Sequence, residues 1–259
     1  MKRIDFLGAP GVGKTTLYNE LASDRNNQFN FLTPDETKYV LAKRKLISKK
    51  KTLKDWYKFL LLNSHLYKFT TPDLVDIILK NDIDEYMWSN DFSKFLYSAI
   101  QNMNVEEKSI VHRIIGTIEF YNKVSEILYL ESFNLRKKVI YDESILHGIF
   151  TLLYYKNKNK SEDIVKNYFG TVELPEIAIY CKAPVKKIVE RIIIRKKKTN
   201  KLNKSHRDNR ELYDVIKFQT EMLEYALEIL KRRKLEILEI DMGTDVKQNS
   251  RKIAQLLKE

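Results

Sequence analysis

The chain has 259 residues, 43% of them hydrophobic and 32% charged, a balance that supports a packed core and excludes an intrinsically disordered chain. Its formal charge of +12 is densest from Lys182 to Arg210, where only Glu190 and Asp208 are acidic; such a field favours phosphorylated ligands, with nucleic acid as the alternative partner. The single cysteine, Cys181, excludes an intrachain disulfide and a cysteine-cluster zinc site, and no apolar run reaches membrane-spanning length.

Arg3 to Leu7 reads as a short apolar strand, Gly8 to Gly13 as a turn, and Lys14 to Ala22 as a helix. The N-terminal apolar residues run straight into the turn, so no signal peptide is read there and a cytoplasmic location is expected. Phe29 to Leu32 is a second strand, ended by Thr33-Pro34. From about Lys49 to Lys138 glycines are few and no strand is evident. Apolar residues recur there at helical spacing, in Trp56, Phe59 and Leu60 and again in Ile114, Ile118 and Tyr121. The segment reads as a mostly helical insert with a buried aromatic stripe. His65 and His112 read as helix residues, and Arg113 as a surface ion-pair partner.

Val139 to Tyr141 is the third strand, ending at Asp142; Ile177 to Tyr180 is the fourth, leading to Cys181, and Leu235 to Ile240 the fifth. Helices are expected from about Val185 to Lys196, Glu211 to Arg233 and Val246 to Lys258. Strands alternating with helices imply a parallel sheet covered on both faces. The expectation is an α/β three-layer sandwich with a five-stranded parallel sheet. Residues 1–48 and 139–259 would form its core. Residues 49–138 would be an insert between strands two and three, serving as the acceptor side.

Gly8-Ala9-Pro10-Gly11-Val12-Gly13-Lys14-Thr15 matches G-x-x-x-x-G-K-[ST] in full. Backbone N–H groups in such a loop, followed by Thr16 and the helix N-terminus, cradle phosphates. Lys14 reaches the β- and γ-phosphates, and the Thr15 hydroxyl can ligate Mg²⁺. Three of the seven glycines fall here. The fold implied is that of a P-loop NTPase, and the ligands are a nucleoside triphosphate, read as ATP, and Mg²⁺. Asp142 and then Glu143 in Val139-Ile140-Tyr141-Asp142-Glu143-Ser144 are the strand-end carboxylates that could hold the metal, Asp142 first. Arg191 and Arg195, four apart on one helix, share a face. With Lys196-Lys197-Lys198, Arg207 and Arg210 they form a basic stretch able to close over the triphosphate. His147 follows the acidic motif and is a candidate for the acceptor pocket; His206, in the basic loop, reads as solvated.

These motifs together resemble the P-loop kinases of the nucleoside and nucleotide kinase type, including deoxynucleoside kinases and thymidylate kinase. The resemblance rests on GAPGVGKTT, on VIYDES, and on CKAPVKKIVERIIIRKK followed by RDNRELY. It covers the two ends of the chain and hardly touches the insert. It implies an arginine-bearing lid, for which Arg191, Arg195, Arg207 and Arg210 are the matching positions. It also implies an acid after strand two that orients the acceptor hydroxyl, where Asp35 and Glu36 stand. The family carries an arginine after the strand-three acid; here Glu143 replaces it, which weakens the case for a nucleoside monophosphate acceptor and leaves open a neutral hydroxyl acceptor, with Glu143 as a candidate base.

The expected activity is transfer of the γ-phosphoryl group of ATP to a hydroxyl of a small molecule: a nucleoside, nucleotide or sugar-containing metabolite. A nucleic-acid 5′-end kinase and a P-loop NTPase switch are the alternatives. The segment Asn157-Lys158-Asn159-Lys160 lacks the aspartate of a guanine-reading motif, and no nucleic-acid-binding module is evident.

Overall fold

The apolar runs form five strands: β1 (Lys2–Leu7), β2 (Phe31–Leu32), β3 (Lys138–Tyr141), β4 (Ile177–Lys182) and β5 (Glu236–Asp241). They come from a computed structural model that describes residues 2–23, 31–48, 52–63, 74–84, 110–133, 135, 137–142, 144–153, 157–198 and 209–257. The strands make one sheet in the order β2-β3-β1-β4-β5, and every pair is parallel. This is the P-loop NTPase α/β fold, with the loop motif leaving the central strand. Five of the six residues of β1 are buried, as expected where helices cover both faces. β2 begins at Phe31 among the described residues; Phe29 and Asn30 lie outside them.

The helices are α1 (Lys14–Ser23), α2 (Pro34–Ser48), α3 (Leu53–Asn63), α4 (residues 74–84), α5 (Ile110–Ser132), α6 (Lys158–Thr171), α7 (Val185–Lys198), α8 (Asn209–Arg232) and α9 (Val246–Leu256). A 3₁₀ segment, Ile145–Thr151, follows β3. Asn157, in the stretch that lacks a guanine-reading aspartate, is the N-cap of α6: its side chain accepts from the Lys160 N–H.

The main core joins the sheet to α1, α5, α6, α7, α8 and α9. A second cluster joins Leu41, Ala42 and Leu46 of α2 to Leu62, Leu79 and Leu130. Helix α2 therefore packs with the insert, and α5 contributes to both clusters. The buried stripe expected in the insert is corrected in part. Phe59 and Tyr121 pack inward, but Trp56, Leu60 and Ile118 are 46%, 60% and 48% exposed. The inward face of α3 is centred on Phe59 and Leu62; Leu60 lies around the helix from it, and Trp56 sits at its rim, edge-on against Phe59 with ring centroids 6.2 Å apart. His65, His206 and the side chains of His112, Arg113 and Ile114 lie outside the described residues.

A buried ionic group braces the strand that feeds the loop. Arg3, with no exposed side-chain surface, pairs with Asp5 at 3.2 Å and Glu131 at 2.7 Å, and donates to the Glu173 carbonyl. Arg3 and Asp5 are two residues apart, so they share a face of β1. The group ties the central strand to α5 and to the segment before β4.

Candidate active site

The loop from Gly8 to Thr15 emerges at the centre of the sheet edge, between the ends of β3 and β4. Ligands bind beyond the C-terminal strand ends in such sheets. Gly8, Gly11 and Gly13 have φ of +152°, +84° and +114°. Gly11 shows why the motif needs glycine: a Cβ there would lie 2.5 Å from Ile192 Cγ1, so α7 packs directly on the loop backbone. Val12 N–H closes a turn on the Ala9 carbonyl at 3.2 Å, and α1 starts immediately after.

Lys14 is 6% exposed, and its ammonium donates to the Gly8 carbonyl at 2.9 Å and the Ala9 carbonyl at 3.3 Å. The charge is thus held folded over the loop. Thr15 and Thr16 are exposed at the first turn of α1 and line, with Lys14, Pro10, Gly11 and Gly13, one wall of a cavity of about 490 Å³. That size suits a small-molecule ligand. Arg191 and Arg195 of α7 line the facing wall, as their shared helix face requires. The two differ in what they do. Arg191 donates from one nitrogen to the Val12 carbonyl at 2.5 Å and from the other to the Met242 carbonyl at 2.7 Å. Arg195 is exposed on the cavity.

The turn from β5 to α9 completes the wall with Met242, Gly243, Thr244 and Val246. It is self-bonded: Gly243 N–H donates to Asp241 Oδ1 at 2.7 Å, the Thr244 hydroxyl to the Asp241 carbonyl at 2.7 Å, and Asp245 caps α9. These residues were not among the sequence candidates. The available signal was a Gly-Thr-Asp turn at the end of a strand, which only the topology brings beside the loop.

Asp142 ends β3, and the pairing of Tyr141 with Asp5 sets it level with Phe6, just below the loop. It does not line the cavity itself. Asp142 and Lys14 both act on Cys181. Burial pushes that thiol up to about 12, Lys14 opposing and Asp142 adding, so it stays protonated as a core residue. Among the described residues no cluster of three or more His, Cys, Asp or Glu side chains could hold a metal by itself. Of the two residues expected to hold Mg²⁺, Thr15 lies on the cavity and Asp142 does not line it.

Other sequence candidates fall elsewhere. Glu143 and Arg207 lie outside the described residues, and Arg210, exposed at the start of α8, does not line the cavity. Asp35 and Glu36 begin α2 and do not line the cavity. Glu36 accepts from the Thr33 N–H at 2.9 Å, while Glu36 N–H donates to Thr33 Oγ1 at 3.4 Å. This is a capping box. The Asp35 side chain is 94% exposed, 3.9 Å from the Lys38 ammonium. His147 does line the cavity, beside Lys14.

No protein-family profile matches the sequence, and no curated protein matches it. Among solved structures, deoxyadenosine kinase from M. mycoides with bound dATP is similar at a TM-score of 0.48 and 15% identity, covering 99% of this chain and 100% of that one. The same enzyme with products dCMP and a flexible dCDP bound gives 0.48 and 14%, covering 99% and 98%. With bound dCTP it gives 0.47 and 14%, again covering 99% and 98%. No described helix is long and apolar enough to cross a membrane.

Proposed function

We propose that the protein is a kinase that binds ATP with Mg²⁺ and transfers the γ-phosphoryl group to a hydroxyl of a small molecule. The observation that carries this reading is the Lys14 ammonium, held over a glycine loop that opens on a 490 Å³ cavity, with Arg195 on the opposite wall. Bound ATP supplies the phosphoryl group, and Mg²⁺ neutralises its charge. The chain's own residues then position and stabilise. The loop N–H groups and the α1 N-terminus hold the phosphates. Lys14 leaves the Gly8 and Ala9 carbonyls for the phosphate oxygens. Thr15 would hold the metal directly and Asp142, set back from the cavity, through water, and Arg195 faces the charge that spreads over the transferred group. Arg191 keeps the loop and the β5–α9 turn in register.

Two walls of unlike character favour transfer over a switching cycle. The β4–β5 side is arginine-rich and shaped by backbone turns, which suits the donor nucleotide. The β3 side presents His147, a hydrogen-bonding ring in place of the arginines, which suits an acceptor. The test is ADP release from ATP across nucleosides, nucleotides, sugars and oligonucleotides. Turnover stimulated by one small-molecule class supports the reading. Stimulation only by oligonucleotide ends would make the protein a nucleic-acid kinase, and slow turnover stimulated by none would make it a switch.

A further inference from the structure

We propose that His147 is the residue that binds the acceptor hydroxyl. This rests on the kinase reading and names the side chain on the far side of the same cavity. The starting point is position. Every other described lining residue belongs to the phosphate loop and its helix, to α7, or to the β5–α9 turn; His147 alone comes from the β3 side. β3 and β4 flank the central strand on opposite sides. In-line transfer needs the acceptor to approach the γ-phosphorus opposite the leaving ADP. With the donor against α7 and the β5–α9 turn, that approach comes from the β3 side, where His147 stands.

The side chain is fixed for the task. Ser144 caps the 3₁₀ segment, its Oγ accepting from Leu146 N–H at 3.2 Å. Gly148 presses against α5 so closely that a Cβ would lie 1.8 Å from the Phe120 ring. The His147 ring packs edge-on against Phe150, centroids 5.0 Å apart. Nδ1 is sealed from solvent and makes no hydrogen bond among the described residues, while the residue itself lines the cavity. An imidazole nitrogen serves a hydroxyl in either tautomer, because a hydroxyl both donates and accepts.

The surroundings set the charge state of the ring. Burial first, then Lys14 from the loop and Lys123 from α5, hold His147 well below the ordinary histidine range, so it is neutral. A neutral ring offers one nitrogen as donor and one as acceptor, which a hydroxyl can use in either sense. Of the other candidates for this contact, Asp35 and Glu36 do not line the cavity, and Glu143 lies outside the described residues.

The experiment compares wild type with His147→Phe, which keeps the contact with Phe150, and His147→Gln, which keeps a polar end. ADP release is measured with ATP and a panel of ribonucleosides, 2′-deoxynucleosides and hexoses, and ATP affinity separately with a fluorescent ATP analogue. The expected result is at least a tenfold loss of kcat in His147→Phe, partial recovery in His147→Gln, and ATP affinity within twofold of wild type in both. His147→Ala, which needs no extra room, carries the same comparison where phenylalanine disturbs folding. Wild-type turnover in the Phe or Ala variant overturns the assignment while leaving the kinase reading standing. So does a loss of ATP affinity that parallels the loss of turnover, which would mark His147 as structural. A wild-type protein that turns over no acceptor removes the kinase reading and this inference with it.

Discussion

The guanidinium of Arg191 donates to the Val12 carbonyl at 2.5 Å, and its second nitrogen reaches the Met242 carbonyl at 2.7 Å. One side chain of α7 thus fastens the phosphate loop to the turn that forms the opposite wall. A planar fork can span two carbonyls in fixed geometry; a lysine ammonium is a point donor on a flexible stem. Arg191→Lys and Arg191→Ala should therefore both lower stability, by about 1–3 kcal/mol for alanine, and both weaken ATP binding. Arg195→Ala should weaken ATP turnover with little change in stability. Urea unfolding and ATP binding on the three variants separate the roles, and equal stability loss at both positions would contradict the division.

Lys14→Ala should leave the fold intact, because the ammonium's hydrogen bonds to the Gly8 and Ala9 carbonyls lie within the loop, beside the cavity. It should cost at least about 30-fold in ATP affinity or turnover, as a charge-assisted phosphate contact of roughly 2–3 kcal/mol implies. Calorimetric ATP titration of the folded variant checks this; wild-type affinity would remove Lys14 from the site.

Asp142→Asn should weaken Mg²⁺-dependent turnover more than nucleotide binding measured without metal. The amide keeps the carboxylate's shape and loses the charge a hard cation needs. The check is a Mg²⁺ titration of turnover: the half-saturating concentration should rise for the variant. Should Glu143→Gln show that rise and Asp142→Asn not, the metal role passes to Glu143.

Stability should depend on Glu131 across a defined pH window. Burial raises its carboxyl from 4.5 to about 7, against the opposing pull of Arg3. The folded chain then holds this proton more tightly than the unfolded chain. Its contribution to stability is complete below about 4.5 and is lost as pH rises through about 7. Asp5 is raised by the same burial and adds a slope of the same sign. Glu131→Gln keeps an acceptor oxygen for Arg3 and removes one titration. Urea midpoints from pH 4.5 to 7.5 should fall less steeply in the variant than in wild type.

The loop was legible because its chemistry is local: glycines, lysine and threonine at fixed spacing dictate the cradle whatever surrounds it. The strands were legible because a parallel strand buried on both faces is a nearly continuous apolar run, as in Ile177 to Cys181 of β4. Spacing placed Arg191 and Arg195 on one face but could not assign Arg191 to the Val12 carbonyl, which is 179 residues away in sequence. Met242 to Val246 and His147 face one cavity only because the strand order places β1 between β3 and β4, and no local pattern encodes that. Trp56 and Leu60 repeat at helical spacing, yet the direction of that face depends on where α2 and α4 lie.

The acids after β2 provide the sharpest test of where the acceptor binds. Glu36 and Thr33 satisfy each other's backbone N–H groups at the start of α2, an arrangement that fully explains a glutamate three residues after a threonine. The amide introduced by Glu36→Gln would retain an oxygen able to accept from Thr33 N–H, whereas the methyl left by Glu36→Ala would not. If the cap is the whole role, Glu36→Gln should keep turnover within about twofold, and Glu36→Ala should lose about 0.5–2 kcal/mol of stability. Asp35→Asn should change neither, since the side chain is exposed and its nearest cation is 3.9 Å away. A carboxylate that took the acceptor's proton would behave differently. Its amide variant would lose roughly 10²–10⁴ in rate at unchanged stability. Thermal unfolding and ADP release on the three variants distinguish these patterns. A hundredfold rate loss in Glu36→Gln without destabilisation would return the acceptor hydroxyl to Glu36 and take it from His147.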